Sequence, residues 1–447
     1  MDGLKTVIMA GGMGTRIQSV ASAIPKPMIK IGGIPVLEYE IKNLVGQGFT
    51  DIIITVSHLG HVIKDYFGNG SFFGADITYY EEEFPLGNAG ALFFLRDRLD
   101  SDFLLLNADV IFDVDFRRFV KFHKEKGALA TLFTHPNSHP YDSGLILAGA
   151  DGRVKGWLTK EEERPRYYKN MVNAGLHILN PTVLDRVDVE NIYTEKMGEV
   201  TKKIDLDRQV LKPLIQTGQV FCYRSPEYVK DMGTPDRLRA VERDFLQGKV
   251  RAKNLRNKQK AVFLDRDGTI NVYKGFLRNV DEFELIKGIG GAIRAINEQG
   301  YLVVVVTNQP VIARGELRKE GLEEIHNRME TELGEEGAYL DGIYVCPHHP
   351  HKGYEGEIAE LKFDCGCRKP KPGLLLRAAE NLNIDLEESW MVGDSENDIE
   401  AGRAAGCRTA LIGAGDCDYG QDASVRSVAD FVGRYIKVES DEVADSL

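Results

Sequence analysis

The chain has 447 residues, of which 43% are hydrophobic and 28% charged, and its formal net charge is −12. Such a length suits two domains of ordinary size, and such a composition fills two cores. An acidic surface argues against nucleic acid as the main partner, since phosphate-backbone binding relies on clustered Lys and Arg; small anions need only local positive charge.

The start, MDGLKTVIMAGG, has no basic segment ahead of a long apolar run, so a secretory signal is not expected. The apolar run at residues 302–306 falls far short of the roughly 20 residues that span a bilayer. The expectation is a cytoplasmic protein with small-molecule substrates and no membrane partner.

Residues 6–10 (TVIMA) read as a first strand that runs into a glycine loop. Helical patterns at 35–45 and 89–99 alternate with apolar strands at 52–56, 103–106 and 130–133. Residues 261–265 (AVFLD) read as a fresh start, and behind them strands at 302–307, 342–345 and 390–392 alternate with helices at 288–299, 318–333 and 374–381. This alternation implies an α/β class with two domains, each a mostly parallel sheet flanked by helices. The expected domains are 1–243 and 261–435, joined by a basic linker at 244–260 and followed by an acidic tail at 436–447.

In the first domain, Gly11, Gly12 and Gly14 let backbone N–H groups approach phosphate oxygens closely. Their loop stands at the C-terminal end of the first strand, where α/β folds bind ligands. Arg16 and Lys26 can neutralise a triphosphate. The run Gly11-Gly12-Met13-Gly14-Thr15-Arg16 with Pro25-Lys26-Pro27 resembles the nucleoside-diphosphate-sugar pyrophosphorylases, and the resemblance extends to about residue 240. It implies that Thr15, and Gly87 and Asn88 of residues 86–90 (LGNAG), contact the nucleotide. It implies that Asp109 and Asp231 hold Mg²⁺, and that Asn173, Gly175 and Lys160 contact the sugar. Asn88, Ala108 and Thr159 stand where the family has Thr, Gly and Glu, and Thr159 replaces the Glu that grips sugar hydroxyls. The chemistry asks for such groups. A sugar 1-phosphate oxygen attacks the α-phosphorus of a nucleoside triphosphate, pyrophosphate leaves, and cations must offset the charge of two anions.

In the second domain, Asp265-Arg266-Asp267-Gly268-Thr269 closes an apolar strand. Asp265 can attack phosphorus to give an aspartyl-phosphate. Asp267 can protonate the leaving alcohol and then activate water. Cys346-Pro347-His348 and Cys365-Gly366-Cys367 offer three thiolates and one imidazole, a closed tetrahedral set for structural Zn²⁺. His349 and His351 read as bystanders, and Cys222, Cys407 and Cys417 as isolated thiols.

DxDGT after a strand is the signature of the haloacid dehalogenase-like phosphatases, which this domain resembles. The resemblance implies that Thr307, with Asn308 beside it, binds phosphate and that Lys369 neutralises the aspartyl-phosphate. It also implies that Asp394 holds Mg²⁺ together with the Asp265 carboxylate and the Asp267 carbonyl, with Asp398 supporting the loop. The zinc loop and residues 367–373 (CRKPKPG) resemble one branch, the D-glycero-D-manno-heptose 1,7-bisphosphate 7-phosphatases, with histidinol-phosphate phosphatases as sister family. Tyr273, Lys274, Gly275, Phe276 and Arg368 then line the substrate pocket. Pro310-Val311 replaces the usual Ser-Gly, and Ser395 a Lys or Arg, which bears on substrate preference.

The fusion itself favours heptose. A heptose bisphosphate phosphatase leaves heptose 1-phosphate, the kind of substrate that the first domain activates. The transferase type resembles the D-glycero-α-D-manno-heptose 1-phosphate guanylyltransferases, which implies GTP, although no residue by itself specifies guanine. Two other readings stay open: a mannose or glucose 1-phosphate transferase joined to another phosphomonoesterase, and a retired catalytic domain serving as a regulatory or assembly module.

Overall fold

The computed structural model describes residues 4–12, 24–187, 194–196, 199–201, 203–413, 415 and 417–436. Gly14, Thr15 and Arg16, and the tail beyond Ile436, lie outside the described residues. The chain divides into two compact units: Met1–His135 with Ile146–Leu158 and Val172–Asn254, and Pro136–Leu145 with Thr159–Met171 and Leu255–Leu447.

The first unit is built on β1 (Lys5–Met9), β2 (Asp51–Val56), β3 (Asp76–Glu81), β4 (Phe103–Asn107), β5 (Val110–Asp113), β6 (Ala130–His135), β7 (Leu145–Ala148), β8 (Val154–Leu158), β9 (Val172–Leu179), β10 (Val220–Arg224) and β11 (Tyr228–Asp231). The main sheet has nine strands in the order β8-β7-β9-β4-β1-β2-β3, with β6 pairing β9 and β10 pairing β6. Strands β4, β1, β2 and β3 are parallel, and β9 runs antiparallel to β4 and β6. The parallel part therefore carries the glycine loop and Asp109 at one edge of the sheet, the edge where parallel sheets bind ligands. Helix α1 (Val36–Val45) buries Leu37, Ile41 and Leu44 against Ile8, Ile52, Ile54 and Leu104.

The segment expected as one helix over 89–99 is instead an α-helix at Gly90–Phe94 and a 3-10 turn at Arg96–Arg98. No side chain caps its start at Ala89, and Arg98 N–H bonds to Leu95 O only three residues back. The tighter turn aims Arg96 at Asp185, with bonds of 3.0 and 2.9 Å. The basic stretch at 244–260 is folded. Helix α2 (Pro235–Leu246) runs into it, a short helix follows at Lys249–Ala252, and Asn254 Nδ2 donates to Asp113 Oδ1 at 2.6 Å.

In the second unit, β12 (Ala261–Leu264), β13 (Leu302–Asn308), β14 (Gly342–Cys346), β15 (Trp390–Gly393), β16 (Arg408–Ile412) and β17 (Ala423–Val425) form a sheet ordered β14-β13-β12-β15-β16-β17. Every neighbouring pair is parallel. Alternate residues serve two cores. Val262, Leu264, Val303 and Val305 pack with Ile289, Ile293 and Ile296, while Ala261, Phe263, Val304 and Val306 pack with Leu374, Leu375 and Ala378. Both faces are covered, which is why these strands read as unbroken apolar runs. Because β12 and β15 are neighbours, the residues that leave their tips, Asp265 and Asp394, emerge side by side.

Candidate active sites

In the first unit, Gly11 and Gly12 leave β1 as expected from the sequence, and Ser57 Oγ donates to Gly11 O at 2.6 Å. The Lys26 ammonium pairs with the Asp109 carboxylate. Asp231 pairs across the β5–β11 ladder with Val110, and Met232 N–H donates to Asp109 O at 3.1 Å, so the two aspartates leave adjacent strand ends. Burial raises the Asp231 carboxyl, but the Gly233 N–H at 2.8 Å and Arg237 at 2.8 and 2.9 Å outweigh it and hold the group below its ordinary value.

The other expected contacts fall on the loop that carries Gly87 and Asn88, on strand β9, which carries Asn173 and Gly175, and on Lys160. Gly87 has φ +82°, and a Cβ there would stand 2.5 Å from Ile204 O. Asn88 Oδ1 accepts Leu206 N–H at 2.8 Å, so its side chain ties this loop to the 204–206 segment. Gly175 has φ +75°, and a Cβ would meet Asn107 Nδ2 at 2.6 Å; Asn173 Oδ1 accepts from His177 Nε2 at 3.2 Å. Lys160 is an exposed loop residue of the second unit. Two residues gave no warning in the sequence. Arg237 grips Asp231 from the first turns of α2. Glu40 is a wholly buried carboxyl on α1, pushed well above its ordinary value by burial and then by the charge of Asp109.

In the second unit, the strand tips enclose a cavity of 320 Å³ lined by Asp265, Asp267, Tyr273, Gly275, Phe276, Thr307, Asn308, Arg368, Lys369, Asp394 and Asp398, among others. Lys369 Nζ donates to Asp265 Oδ1 at 2.7 Å and to Asp398 Oδ1 at 2.6 Å. Asn308 fixes this lysine from the backbone side, accepting Lys369 N–H and donating to Lys369 O, both at 3.0 Å. Burial raises the Asp265 carboxyl against the pull of Lys369, with Asp398 adding to the rise. Carboxylate oxygens of Asp265, Asp394 and Asp398 lie within 4.8 Å of one another. That is an all-oxygen donor set of the kind Mg²⁺ takes, with room for water and substrate phosphate.

Asp267 is oriented separately. Arg266 Nη2 donates to both its oxygens at 2.8 Å, Gln309 Nε2 reaches Oδ2 at 2.8 Å, and Asn271 Nδ2 reaches Oδ1 at 3.1 Å. Gln309 also donates to Thr307 Oγ1 at 2.9 Å, which leaves the Thr307 hydroxyl proton for a phosphate oxygen. Gln309, Asn271 and the fully buried Arg266 escaped notice in the sequence. Only their spacing around DxDGT and Thr307-Asn308 could have flagged them. Ser395 Oγ donates to Asp398 Oδ2 at 2.6 Å and caps the helix that follows. Lys274 is not among the lining residues, because its ammonium pairs with Glu284 at 2.7 Å.

Cys346, His348, Cys365 and Cys367 converge, with all ligand atoms within 4.8 Å. Sulfur–sulfur and sulfur–nitrogen separations of 3.3 to 3.6 Å join neighbouring members. A tetrahedral zinc with bonds of about 2.3 Å needs edges of roughly 3.7 Å, so the set fits such an ion with a slight expansion. Arg368 Nη1 donates to His348 O at 3.4 Å, which links this cluster to the cavity wall.

Two sites thus stand out: one α/β unit has a glycine loop and two aspartates at adjacent strand ends, and the other has a carboxylate cluster at its strand tips beside the buried Lys369. Residues 5–248 match the nucleotidyl transferase family, and the chain belongs to it; residues 366–445 match a HAD-hydrolase-like family. The chain is 45% identical over 152 residues to D-glycero-beta-D-manno-heptose-1,7-bisphosphate 7-phosphatase of Yersinia pestis, covering 34% of this chain and 79% of that protein. Among solved structures, it is similar to HddC from Yersinia pseudotuberculosis (23% identity, TM-score 0.46, covering 54% of this chain and 99% of that one). It is also similar to the D,D-heptose 1,7-bisphosphate phosphatase of B. bronchiseptica complexed with magnesium and phosphate (30% identity, TM-score 0.35, 40% and 98%). The chain joins a nucleotidyltransferase and a phosphatase. Among the described residues, no helix is long and apolar enough to cross a membrane.

Proposed function

We propose that residues 261–435 remove the 7-phosphate of D-glycero-D-manno-heptose 1,7-bisphosphate, and that residues 1–243 transfer GMP from GTP to the resulting heptose 1-phosphate. The products are GDP-heptose and pyrophosphate, made in the cytoplasm where the nucleotide is held. The observation that carries the phosphatase half is the 45% identity over 152 residues to a 7-phosphatase of this substrate, together with the Asp265–Lys369 pair at the cavity floor.

Asp265 attacks phosphorus to give an aspartyl-phosphate while Asp267 protonates the leaving sugar oxygen; Asp267 then takes a proton from the water that hydrolyses the aspartyl-phosphate, releasing phosphate and free Asp265, and Lys369 with Thr307 binds the transferring oxygens. Asp265 and Asp394 would hold Mg²⁺, which would supply charge neutralisation at the phosphate. Zn²⁺ in the Cys346–His348–Cys365–Cys367 set is structural, since four protein ligands leave no open position. In the first unit, Asp109 and Asp231 hold the second Mg²⁺ site, and Lys26 and Arg16 offset the triphosphate charge.

The similar phosphatase is named for the beta anomer, which favours a second reading in which the released sugar is heptose β-1-phosphate. The test is to incubate the protein with each anomer of the bisphosphate and each nucleoside triphosphate, and to identify the nucleotide-sugar by mass. With phosphate release assayed on the bisphosphate and nucleotidyl transfer assayed separately on added heptose 1-phosphate, Asp265→Asn is expected to stop phosphate release alone, and Asp109→Ala nucleotidyl transfer alone. Loss of both activities in either variant would sink the two-site reading.

A further inference from the structure

We propose that His326 is a positioning residue for the second half of the phosphatase reaction: through Arg266 it holds Asp267 in place to take a proton from water. This rests on the aspartyl-phosphate reading above. His326 lies on the helix Lys319–Glu335 of the second unit, at helical spacing from Leu322, Met329 and Leu333. Ile325, Met329 and Leu333 belong to the core that includes Val262 and Val303, so the imidazole projects from a fixed backbone.

Arg266 links the two residues. Its side chain is fully buried, and Nη1 donates to His326 Nε2 at 3.3 Å. A guanidinium has only donors, so Nε2 is the unprotonated nitrogen of a neutral ring. Burial, then the charges of Arg266 and Lys169, lower the imidazole well below its ordinary value, in keeping with that form. The guanidinium is planar, and fixing Nη1 sets the direction of its other edge. From that edge Nε donates to Asp267 Oδ1 at 3.2 Å, and Nη2 to both carboxylate oxygens at 2.8 Å.

Gln309 Nε2 and Asn271 Nδ2 add further donors to Asp267. Partners that only donate suit a carboxylate that accepts, and accepting is what the second step asks of it. The water oxygen bonds to phosphorus as the bond from Asp265 to phosphorus breaks, and the water's proton passes to Asp267. In the first step a protonated Asp267 aims its O–H at the sugar oxygen and cannot keep all of these bonds, so that step draws less on the grip. Without the His326 ring, a buried N–H of Arg266 loses its acceptor. The guanidinium then turns to find another, and the Asp267 carboxylate leaves its line to the water.

The test uses the full chain with Mg²⁺ and heptose 1,7-bisphosphate labelled in the 7-phosphate. Two variants disconnect Arg266: His326→Leu, and His326→Asn, whose amide is too short to reach the Nε2 position. In either, kcat is expected to fall about 10–100-fold. KM should fall with it and kcat/KM stay nearly constant, because the slowed step follows release of the sugar. Acid quenching at steady state should then trap more labelled aspartyl-phosphate than in the unaltered protein. His326→Gln, whose amide oxygen can accept from Arg266, should restore kcat. A loss of kcat/KM in step with kcat, without build-up of label, would make the residue merely structural and overturn the proposal. An unchanged kcat, or a His326→Gln as impaired as His326→Leu, would do the same. Label that survives in Asp265→Asn overturns the aspartyl-phosphate reading itself, and the proposal with it.

Discussion

Gly268 lies directly under the Asp394 carboxylate: a Cβ built on Gly268 would overlap Asp394 Oδ2. The backbone at Gly268 also has φ +87°, a conformation that L side chains rarely adopt. The glycine of DxDGT therefore keeps the Asp265 loop and the Asp394 loop in contact. Gly268→Ala must push the loops apart, and a displacement near 1 Å in such a site costs about 100-fold in rate. The expected outcome is a phosphatase kcat at least about 100-fold lower with nucleotidyl transfer unchanged, measured on the same preparation. Phosphatase activity near that of the unaltered protein would contradict this placement.

Lys369 is a buried cation shared by two carboxylates, Asp265 and Asp398. Burial would lower its ammonium, but the two charges outweigh that and raise it. Removing one member of a buried ion network leaves the others uncompensated, which costs about 3–5 kcal/mol. Lys369→Met is expected to lose phosphatase activity and to lower the thermal unfolding temperature of the second unit. Added Mg²⁺ should recover part of that stability, because a cation on Asp265 and Asp394 replaces some of the lost charge. Asn308→Ala, which leaves the lysine but not its two backbone bonds, should raise KM and lower kcat with a smaller loss of stability.

Strand tips were the legible part of both sites. An apolar run ending in DxDGT, a second ending in Thr-Asn and a third ending in Gly-Asp read as strands of a mostly parallel sheet, and β12 lies between β13 and β15. The residues that orient those tips were not legible. Gln309 and Asn271 hold Asp267 through side-chain amides, and nothing in a linear pattern says which amide turns inward. The same holds for Arg237 on Asp231, where the helix turn after Thr234 sets the approach. The helix expected over 89–99 failed for a local reason: apolar residues kept a helical spacing, but the backbone tightened to three-residue bonds past Leu95. Lys274 was grouped with Tyr273 and Phe276 by adjacency alone, while Glu284 holds its ammonium.

The cysteine cluster yields a separate prediction. Burial pushes the Cys346 thiol above its ordinary value, so a thiolate there needs a cation nearby. Purified protein is expected to carry stoichiometric zinc by elemental analysis, and Cys365→Ser to lose it. Arg368 directly follows Cys367 and donates to His348 O, so the same variant should raise KM for a bisphosphate substrate more than it lowers kcat. Zinc-free protein with unaltered KM would remove the cluster from substrate binding.

His177 offers a test of the first unit by pH. It is fully buried in β9, and burial lowers its imidazole to about 3, whereas an unfolded histidine titrates near 6.5. The folded state therefore holds His177 neutral while the unfolded state takes up a proton. Its contribution to stability is complete above about pH 6.5 and is lost progressively as pH falls from there toward 3. Between pH 7 and pH 5 the linkage amounts to about 2 kcal/mol for this one group. Urea unfolding followed through the first unit should show the protein losing stability over that interval, and His177→Gln should lose about 2 kcal/mol less. His326 in the second unit is also lowered, by burial and then by Arg266, so its acid sensitivity persists in His177→Gln and marks the effect as local. Identical pH slopes for the first unit in the two proteins would mean that His177 is protonated, or hydrated, in the folded state.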